Sequence, residues 1–320
     1  NNQKVEEFDE LLAVNKKFEL KRTYHIMDMP ISQPYWLEKE GTLGTYAVDN
    51  QMLIGKPENP ASLSVIVGFM YMGVELNYAV PITYKWRDPV KGELHRPFVI
   101  TPPAFVNFEE EAQLFSELKT QSVKVKVKAI KKGVSAKLKL TTPEGWELQQ
   151  SEFDVSFTKS GEEALFVARV TPTASAVKGD ITAELIIDGQ SYNNALNVIE
   201  YDHIPMQVYM PKAKANIVYI NLKKKGNNVG YFAGAGDVTG EALSNIGYDV
   251  TELQEADLTP ENLKQFDAIV VGIRALNVNH RADFWMPKLL AYTEAGGTLV
   301  LQYNTRHRLK TDKIGPYPIK

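Results

Sequence analysis

The 320 residues of this chain are enough for two or three domains, and a content of 44% hydrophobic and 23% charged residues is ordinary for a globular protein. A formal net charge of -3 gives no overall attraction to nucleic acid or to an anionic membrane, and no apolar stretch approaches the roughly 18 residues that cross a bilayer. The chain has no cysteine, which excludes disulfides, thiolate metal sites and a cysteine nucleophile and favours an extracytoplasmic location, periplasmic or secreted.

Residues 1–102 contain short apolar runs separated by Pro, Gly and Asn, which is typical of β-structure. Alternation predicts a strand over residues 18–26, and residues 63–67 and 74–86 are predicted to form a strand pair joined near Met72-Gly73. A weak helical period appears only near Val5, Phe8, Leu11 and Leu12. We expect a β-sandwich-like domain, either complete or lacking its first strands.

The stiff joint Thr101-Pro102-Pro103 marks the next boundary, and a strict alternation follows it. In residues 123–129 Val alternates with Lys, so one face is buried and the other is solvated, and residues 137–140 repeat the pattern. The lysines guard an exposed edge or, alternatively, form a basic face for a ligand. Further predicted strands cover residues 153–157, 164–170 and 181–187. This succession predicts an immunoglobulin-like β-sandwich over residues 103–205.

A second joint surrounds residues 201–205, and the period of the apolar residues changes after it. The predicted order is strand 229–232, helix 238–246, strand 249–253, a helix that begins at Thr259, strand 267–272, helix 284–294 and strand 298–302. Strands and helices that alternate with short loops predict a parallel, doubly wound sheet. We therefore expect an α/β domain over residues 215–320, either small or cut short.

Ligands of open α/β sheets bind beyond the carboxyl ends of the strands, and three such ends are recognisable in this last domain. The candidate ligand-binding residues at these ends are Gly234, Gly236, Asp237, Gly272, Arg274, Asn277, Gln302, Tyr303 and Asn304. Glycines allow a ligand to approach the backbone, the helix after Asp237 offers its N-terminus to an anion, and Arg274 suits a carboxylate or phosphate. In the alternative interpretation, Asp237 only caps its helix and Arg274 pairs with Asp237.

No catalytic motif accompanies these loops. Gly234-Ala235-Gly236 lacks the third glycine of a dinucleotide-binding turn, no acidic residue closes the second strand, and there is no P-loop lysine. The sequence also has no Gly-x-Ser-x-Gly nucleophile elbow. The histidines, which are far apart in sequence and form no zinc-ligand pattern, are His25, His95, His203, His280 and His307. We assign no catalytic and no metal-binding residue.

Several segments, taken together, resemble the long C-terminal region of large bacterial PIG-L/LmbE-family deacetylases. These segments are ISQPYWL at residues 31–37, YAVDNQ at 46–51, LIG at 53–55, YKWRDPVKGE at 84–93, TPP at 101–103, YDHIP at 201–205, GAGD at 234–237, VVGIRA at 270–275 and QYNT at 302–305. The resemblance implies a zinc-dependent N-acetyl-sugar deacetylase whose metal motif is a His-Pro-Asp-Asp run in an N-terminal domain. This sequence contains no such run, so zinc is expected only in a catalytic domain outside it.

The resemblance also extends to the separate domains. The middle domain resembles the sandwich modules that are attached to carbohydrate-active enzymes. The last domain resembles class I glutamine-amidotransferase-like, flavodoxin-like folds, in which the fourth strand delivers a Cys nucleophile. Here Gln302-Tyr303-Asn304 ends the corresponding strand, and Gly272 falls near the oxyanion-loop position. Amidotransferase chemistry is therefore not expected.

Three hypotheses follow for the function. In the first, the chain is a non-catalytic accessory region of a deacetylase that binds glycan or organises the enzyme, with a glycan or the deacetylase domain of the same protein as its partner. In the second, the strand ends of the α/β domain bind a small molecule or form a degenerate hydrolase site. In the third, the chain is a structural spacer.

Overall fold

The computed structural model describes residues 6–8, 13–17, 19–23 and 29–317. The strand predicted over residues 18–26 and the helical period near Val5, Leu11 and Leu12 depend on residues outside these ranges. Strands dominate the described residues, which hold twenty strands and four short α-helices. No helix among them is both long and apolar enough to span a membrane.

The N-terminal region forms two separate β-hairpins instead of the expected sandwich of packed sheets. Its elements are a 3-10 helix at Gln51–Leu53 and strands β1 Ser64–Tyr71, β2 Val74–Pro81, β3 Thr83–Asp88 and β4 Gly92–Pro97. Among the described residues, strand β1 pairs only with β2, and β3 only with β4. The run predicted as one strand over residues 74–86 is thus divided at Ile82, because its two halves pair with different neighbours.

The turn between β1 and β2 confirms the predicted joint at Met72-Gly73. Both residues have positive φ, 49° at Met72 and 80° at Gly73, as a tight two-residue hairpin turn requires. One face of this hairpin is wholly apolar and exposed to solvent apart from the half-buried Leu76. The side chains on that face are Val65, Val67, Phe69, Tyr71, Val74, Leu76, Tyr78 and Val80.

A β-sandwich follows. Its strands are β5 Ala104–Phe108, β6 Ala112–Phe115, β7 Gln121–Ala129, β8 Val134–Thr141, β9 Trp146–Leu148, β10 Glu152–Phe157, β11 Glu163–Pro172, β12 Gly179–Ile187, β13 Gln190–Tyr192 and, after a separate two-stranded sheet of β14 Asn197–Ile199 and β15 Gln207–Tyr209, β16 Lys214–Tyr219. One sheet has the order β5-β7-β11-β9, and the other has the order β10-β8-β12-β16-β6 with β13 beside β12. The predicted alternation is confirmed, since Val123, Val125 and Val127 are buried and the lysines between them are not.

The sandwich extends beyond residue 205, where the sequence predicted its end. Strand β16 pairs antiparallel with β12 and parallel with β6, so it lies inside the second sheet. Its alternate residues Ala215 and Ile217 are buried beside Phe115 and Trp146, which explains why the sheet includes them. The Pro-containing segment at residues 201–205 is a loop between β14 and β15, which pair with each other, and not a joint between domains.

Four lysines on the solvated faces of the two sheets are paired with glutamates. The pairs, with their N–O distances, are Lys124–Glu109 at 3.7 Å, Lys128–Glu163 at 2.8 Å, Lys137–Glu152 at 3.4 Å and Lys139–Glu184 at 3.6 Å. Exposed pairs of this kind contribute only about 0–1 kcal/mol each to stability. They balance the charge of these four lysines, whereas the exposed Lys126 makes no ion pair within the described residues. The basic ligand face stays a prediction.

The last region is a four-stranded parallel sheet flanked by helices. Its elements are β17 Asn228–Phe232, α1 Thr239–Asn245, β18 Asp249–Leu253, a 3-10 helix at Glu255–Asp257, α2 Pro260–Leu263, β19 Ala268–Val271, α3 Ala275–Val278, α4 Ala282–Glu294 and β20 Leu299–Leu301. The strand order is β18-β17-β19-β20, and every pair is parallel. The predicted alternation of strands and helices is confirmed, whereas the likeness to amidotransferase folds stays a prediction.

Local signals explain where these helices begin. Thr259 accepts a hydrogen bond from the Asn262 backbone N–H at 3.3 Å, and Pro260 occupies the first turn of α2, as predicted. The four-residue helix α3 escaped prediction because a single turn is too short to show a helical period. The largest helix, α4, buries Trp285, Met286 and Leu289 against the sheet.

Candidate functional site

The three predicted loops meet at the carboxyl edge of the parallel sheet. The Ala235 N–H donates to the Ile273 carbonyl at 2.8 Å, which joins the loop after β17 to the loop after β19. The Arg274 N–H donates to the Tyr303 carbonyl at 2.7 Å, which adds the loop after β20. The loops that carry the nine predicted residues are therefore joined to one another, and the role of these residues in ligand binding stays a prediction.

The two glycines that were expected to admit a ligand bring the loops together instead. A Cβ atom on Gly234 would lie 2.2 Å from the Ile273 carbonyl oxygen, and one on Gly272 would lie 2.5 Å from the Gly234 nitrogen. Strand β17 is the point where the strand order reverses, with β18 on one side and β19 on the other, and ligands usually bind in the crevice there. In this chain the backbones of the two loops fill that crevice.

Asp237 acts as a latch between these loops. Its Oδ1 accepts hydrogen bonds from the Tyr231 hydroxyl at 2.5 Å and the Thr239 N–H at 2.9 Å, and its Oδ2 accepts one from the Ile273 N–H at 2.9 Å. The alternative in which Asp237 only caps its helix is too narrow, because Val238 is the N-cap residue of α1 and Asp237 bonds Tyr231 and Ile273 as well as the Thr239 N–H. The proposed pair with Arg274 is wrong, because within the described residues the exposed Arg274 side chain forms no hydrogen bond or ion pair with Asp237.

The latch also sets the protonation of its members. Burial opposes ionisation of Asp237, but the hydrogen bonds from Tyr231, Thr239 and Ile273 outweigh it and hold the pKa of the carboxyl below its usual value. Burial, and then the hydrogen bond to Asp237, raise the pKa of Tyr231 far above its ordinary value. Near neutral pH the pair is therefore a carboxylate and a neutral phenol, and neither group is poised for proton transfer.

The predicted amides are also engaged in holding the loops. The Asn277 Oδ1 accepts from the Thr305 N–H at 2.9 Å, and its Nδ2 donates to the Thr305 carbonyl at 2.9 Å. Asn304 accepts from the Leu276 N–H at 3.0 Å. The Gln302 Nε2 donates a hydrogen bond to the Thr239 hydroxyl oxygen at 3.1 Å. These side chains hold the loops in place, and their hydrogen bonds give no indication of a catalytic role.

An open cleft lies beside the latched loops. It has a volume of about 440 Å³ and is lined by Arg274, Asn277, Val278, Thr305, His307 and Arg308. Arg274 adopts a left-handed conformation, with φ of 58°, and its side chain is exposed. Within the described residues, the side chains of Arg274, His307 and Arg308 make no hydrogen bond or ion pair. The cleft therefore presents unpaired cationic donors.

No family model matches this chain, and no curated protein matches it. Among solved structures, a mutant of Salmonella alpha-2-macroglobulin is similar at 10% identity with a TM-score of 0.27, over 45% of this chain and 9% of that one. Native E. coli alpha-2-macroglobulin gives 10% identity and a TM-score of 0.26, over 46% and 9%. A non-cellulosomal cohesin from Archaeoglobus fulgidus gives 16% identity and a TM-score of 0.24, over 37% and 92%. The chain thus spans about a tenth of the macroglobulins that it matches.

Acidic and imidazole side chains do not gather into a metal centre in the described part of the chain, where no group of three His, Cys, Asp or Glu residues is found. His25 lies outside the described residues. His307 is near Arg274 in the cleft, and its backbone carbonyl accepts from the Asn277 Nδ2 at 3.1 Å.

Sequence reasoning missed four residues that shape the site. Tyr231 lies in a continuous apolar run, which indicated a buried strand and gave no sign of a bond to Asp237. Thr239 was read only as part of a helix. His307 and Arg308 lie in the basic run Arg306-His307-Arg308, which was a usable signal because clustered cations attract anions.

The Asp237 latch predicts a pH-dependent stability. Because the folded-state pKa of Asp237 is depressed, its contribution is present above the unfolded-state pKa of about 4 and is lost as the pH falls through the lower folded-state value. Asp237→Asn should lower the free energy of unfolding at pH 7 by about 1–3 kcal/mol, since an amide nitrogen then faces a backbone N–H.

Denaturant unfolding of both proteins at pH 7 and near pH 3 checks this prediction. The difference between wild type and Asp237→Asn should shrink at the lower pH. An equal difference at both pH values would show that the carboxylate charge contributes nothing to the latch.

Proposed function

We propose that this chain is a non-catalytic accessory region of a PIG-L/LmbE-like sugar deacetylase and that its α/β domain binds a small anion. The accessory role is supported by the motif resemblance, and the binding role by one observation: the unpaired Arg274 guanidinium in an open cleft at the carboxyl edge of a parallel sheet. An amidotransferase-like fold without its nucleophile and an extracytoplasmic location belong to the same proposal.

The charge of the cleft favours an anionic ligand. Arg274 and Arg308 bring two positive charges, and His307 adds a third donor. Asp237, the acid among the predicted site residues, keeps its negative charge, but both of its oxygens accept hydrogen bonds from uncharged donors of the latch and it forms no ion pair with Arg274 within the described residues. A guanidinium presents a planar fork that matches carboxylate and phosphate oxygens, so a sugar acid or a sugar phosphate is a suitable ligand.

The geometry gives no support to hydrolysis by this chain. The polar groups at the strand ends donate to or accept from neighbouring loops, and Tyr231 is held in its neutral form. Catalysis of acyl transfer would need a nucleophile within reach of a base, and none of the predicted loop residues offers that pair. We therefore expect the purified chain to show no deacetylation of N-acetyl sugars, with or without added zinc; turnover in that assay would contradict the accessory role.

Anion binding can be tested directly by calorimetry. Glucuronate and inorganic phosphate should bind the wild-type chain, and Arg274→Ala should weaken binding about tenfold or more through loss of a charge-assisted contact. Arg306→Ala is the matched control. Arg306 is exposed and adjoins His307 and Arg308, but it does not line the cleft, so its substitution removes one positive charge near the cleft without changing the lining.

The outcomes separate the proposed roles. Equal losses in Arg274→Ala and Arg306→Ala would indicate non-specific attraction to a basic surface and would contradict a site at the cleft. Absence of binding to either anion by the wild-type chain would favour the spacer hypothesis.

A further inference from the structure

A second surface with binding chemistry lies on the β3–β4 hairpin, away from the α/β domain. Tyr84 and Trp86 project from the same face of β3, two residues apart. Their ring centroids are 5.7 Å apart, and their planes differ by 25°. Tyr84 is 65% exposed, so its ring is open to solvent, whereas Trp86 is half-buried beside it.

Charged groups border these rings. Arg96 lies opposite Tyr84 in the strand register, and its guanidinium carbon is 5.1 Å from the centroid of the Trp86 ring. Arg96 also donates to Glu200 at 2.6 Å, and both side chains are accessible, at 42% and 57%. The rings therefore have a solvent-accessible guanidinium donor, Arg96, and a solvent-accessible carboxylate acceptor, Glu200, beside them.

Ion pairs lie around the rings. Arg96 is offset by Glu200, and Lys91 on the adjoining turn is offset by Asp202 at 2.5 Å. Asp88, on the same face of β3, accepts hydrogen bonds from the Val90 and Lys91 N–H groups of the turn. These cations are therefore paired, in contrast to those of the Arg274 cleft. A ligand for this surface therefore needs an apolar face and both kinds of hydrogen-bonding group, but no net charge.

Neutral pyranose sugars have these properties. Their axial C–H groups form an apolar face, which is attracted to the electron-rich face of an aromatic ring, and their hydroxyls both donate and accept at the rim. The carboxylate of Glu200 would accept from such hydroxyls, and the guanidinium of Arg96 would donate to them. We propose that the β3–β4 hairpin binds a neutral oligosaccharide on the face formed by Tyr84, Trp86, Arg96 and Glu200.

The proposed oligosaccharide site on the β3–β4 hairpin is independent of the anion-binding cleft. Only the choice of sugars to test rests on the proposed accessory role. The probes are the β-1,4-linked hexasaccharides of N-acetylglucosamine and of glucose, titrated into the whole chain by calorimetry and followed by tryptophan fluorescence. We expect the wild type to bind at least one of them. Trp86→Ala should weaken that binding about tenfold or more, and Tyr84→Ala should weaken it severalfold, because each removes one stacking surface.

Three further variants make the result decisive. Trp86→Phe keeps a ring and should retain most of the affinity, which guards against a hairpin that simply unfolds in Trp86→Ala. Tyr71→Ala removes another exposed aromatic side chain, on the neighbouring hairpin, and should leave the affinity within about twofold. Arg274→Ala should bind the oligosaccharide normally, so failure at one site is distinguishable from failure at the other.

The proposal is overturned if the wild-type chain binds neither hexasaccharide at millimolar concentration. It is also overturned if Tyr84→Ala and Trp86→Ala bind as well as the wild type, or if Tyr71→Ala loses as much affinity as they do.

Discussion

Replacing Trp285 with alanine should lower the free energy of unfolding of the α/β domain by about 3–5 kcal/mol. Trp285 is completely buried in α4, and its ring centroid lies 4.6 Å from that of Phe232 in the central strand. Truncation would leave a cavity between helix and sheet that the surrounding side chains fill only in part. Calorimetric unfolding of the wild type and the variant measures the loss, which should appear in the transition of this domain.

Trp285→Phe is the informative companion to this truncation. Within the described residues, the buried indole N–H of Trp285 has no hydrogen-bond partner. Phenylalanine removes that unpaired donor while it keeps an aromatic ring against Phe232, so the two effects offset each other. We expect a loss below about 1.5 kcal/mol. A loss as large as that of Trp285→Ala would mean that the indole N–H is satisfied in solution.

Substitution of Gly234 by alanine should cost about 3 kcal/mol, at the upper end of the usual range for an added buried methyl group. The new Cβ would lie 2.2 Å from the Ile273 carbonyl oxygen and 2.6 Å from the Gly272 carbonyl carbon. Both are backbone atoms, so a rotamer change cannot relieve the contact. The loops after β17 and β19 would separate and weaken the bond between Ala235 and Ile273.

Gly236→Ala provides a control two residues away in the same loop. A Cβ on Gly236 would meet no atom within 4 Å, and only the positive φ of 66° opposes alanine. The expected cost is about 1 kcal/mol. Denaturant unfolding and amide hydrogen exchange of Ala235 should therefore separate the two variants clearly. Similar losses in both would show that backbone conformation, and not the contact between loops, explains these glycines.

Periodicity predicted most strands of this chain because a strand that is buried on one face alternates apolar and polar residues along the sequence. Val123, Val125 and Val127 show it in the sandwich, and the parallel sheet was predicted from apolar runs separated by helices. The end of the sandwich was placed too early because Pro205 was taken as a joint. The pairing of β16 with β6 depends on contacts between distant residues, which a local pattern does not contain.

The sequence predicted that the loops of the candidate site meet, but not which of their side chains hold the loops together and which face the cleft; ligand binding there stays a prediction. Strand ends of a parallel sheet meet by geometry, so Gly234, Gly272 and Tyr303 were correctly brought together. Whether a polar side chain faces a ligand or a neighbouring loop depends on tertiary distances. Asp237 and Asn277 proved to hold loops, whereas Arg274 faces the cleft with residues that follow the last strand.

The parallel pairing of β16 with β6 also has a consequence for how the chain folds. Strand β6 comes near the beginning of the sandwich, and its partner is the last strand of that domain. During synthesis on the ribosome, β6 therefore has no β-partner until β16 has emerged. Closure of this long loop carries an entropic cost before its contacts form, so completion of the second sheet is expected to be a late step.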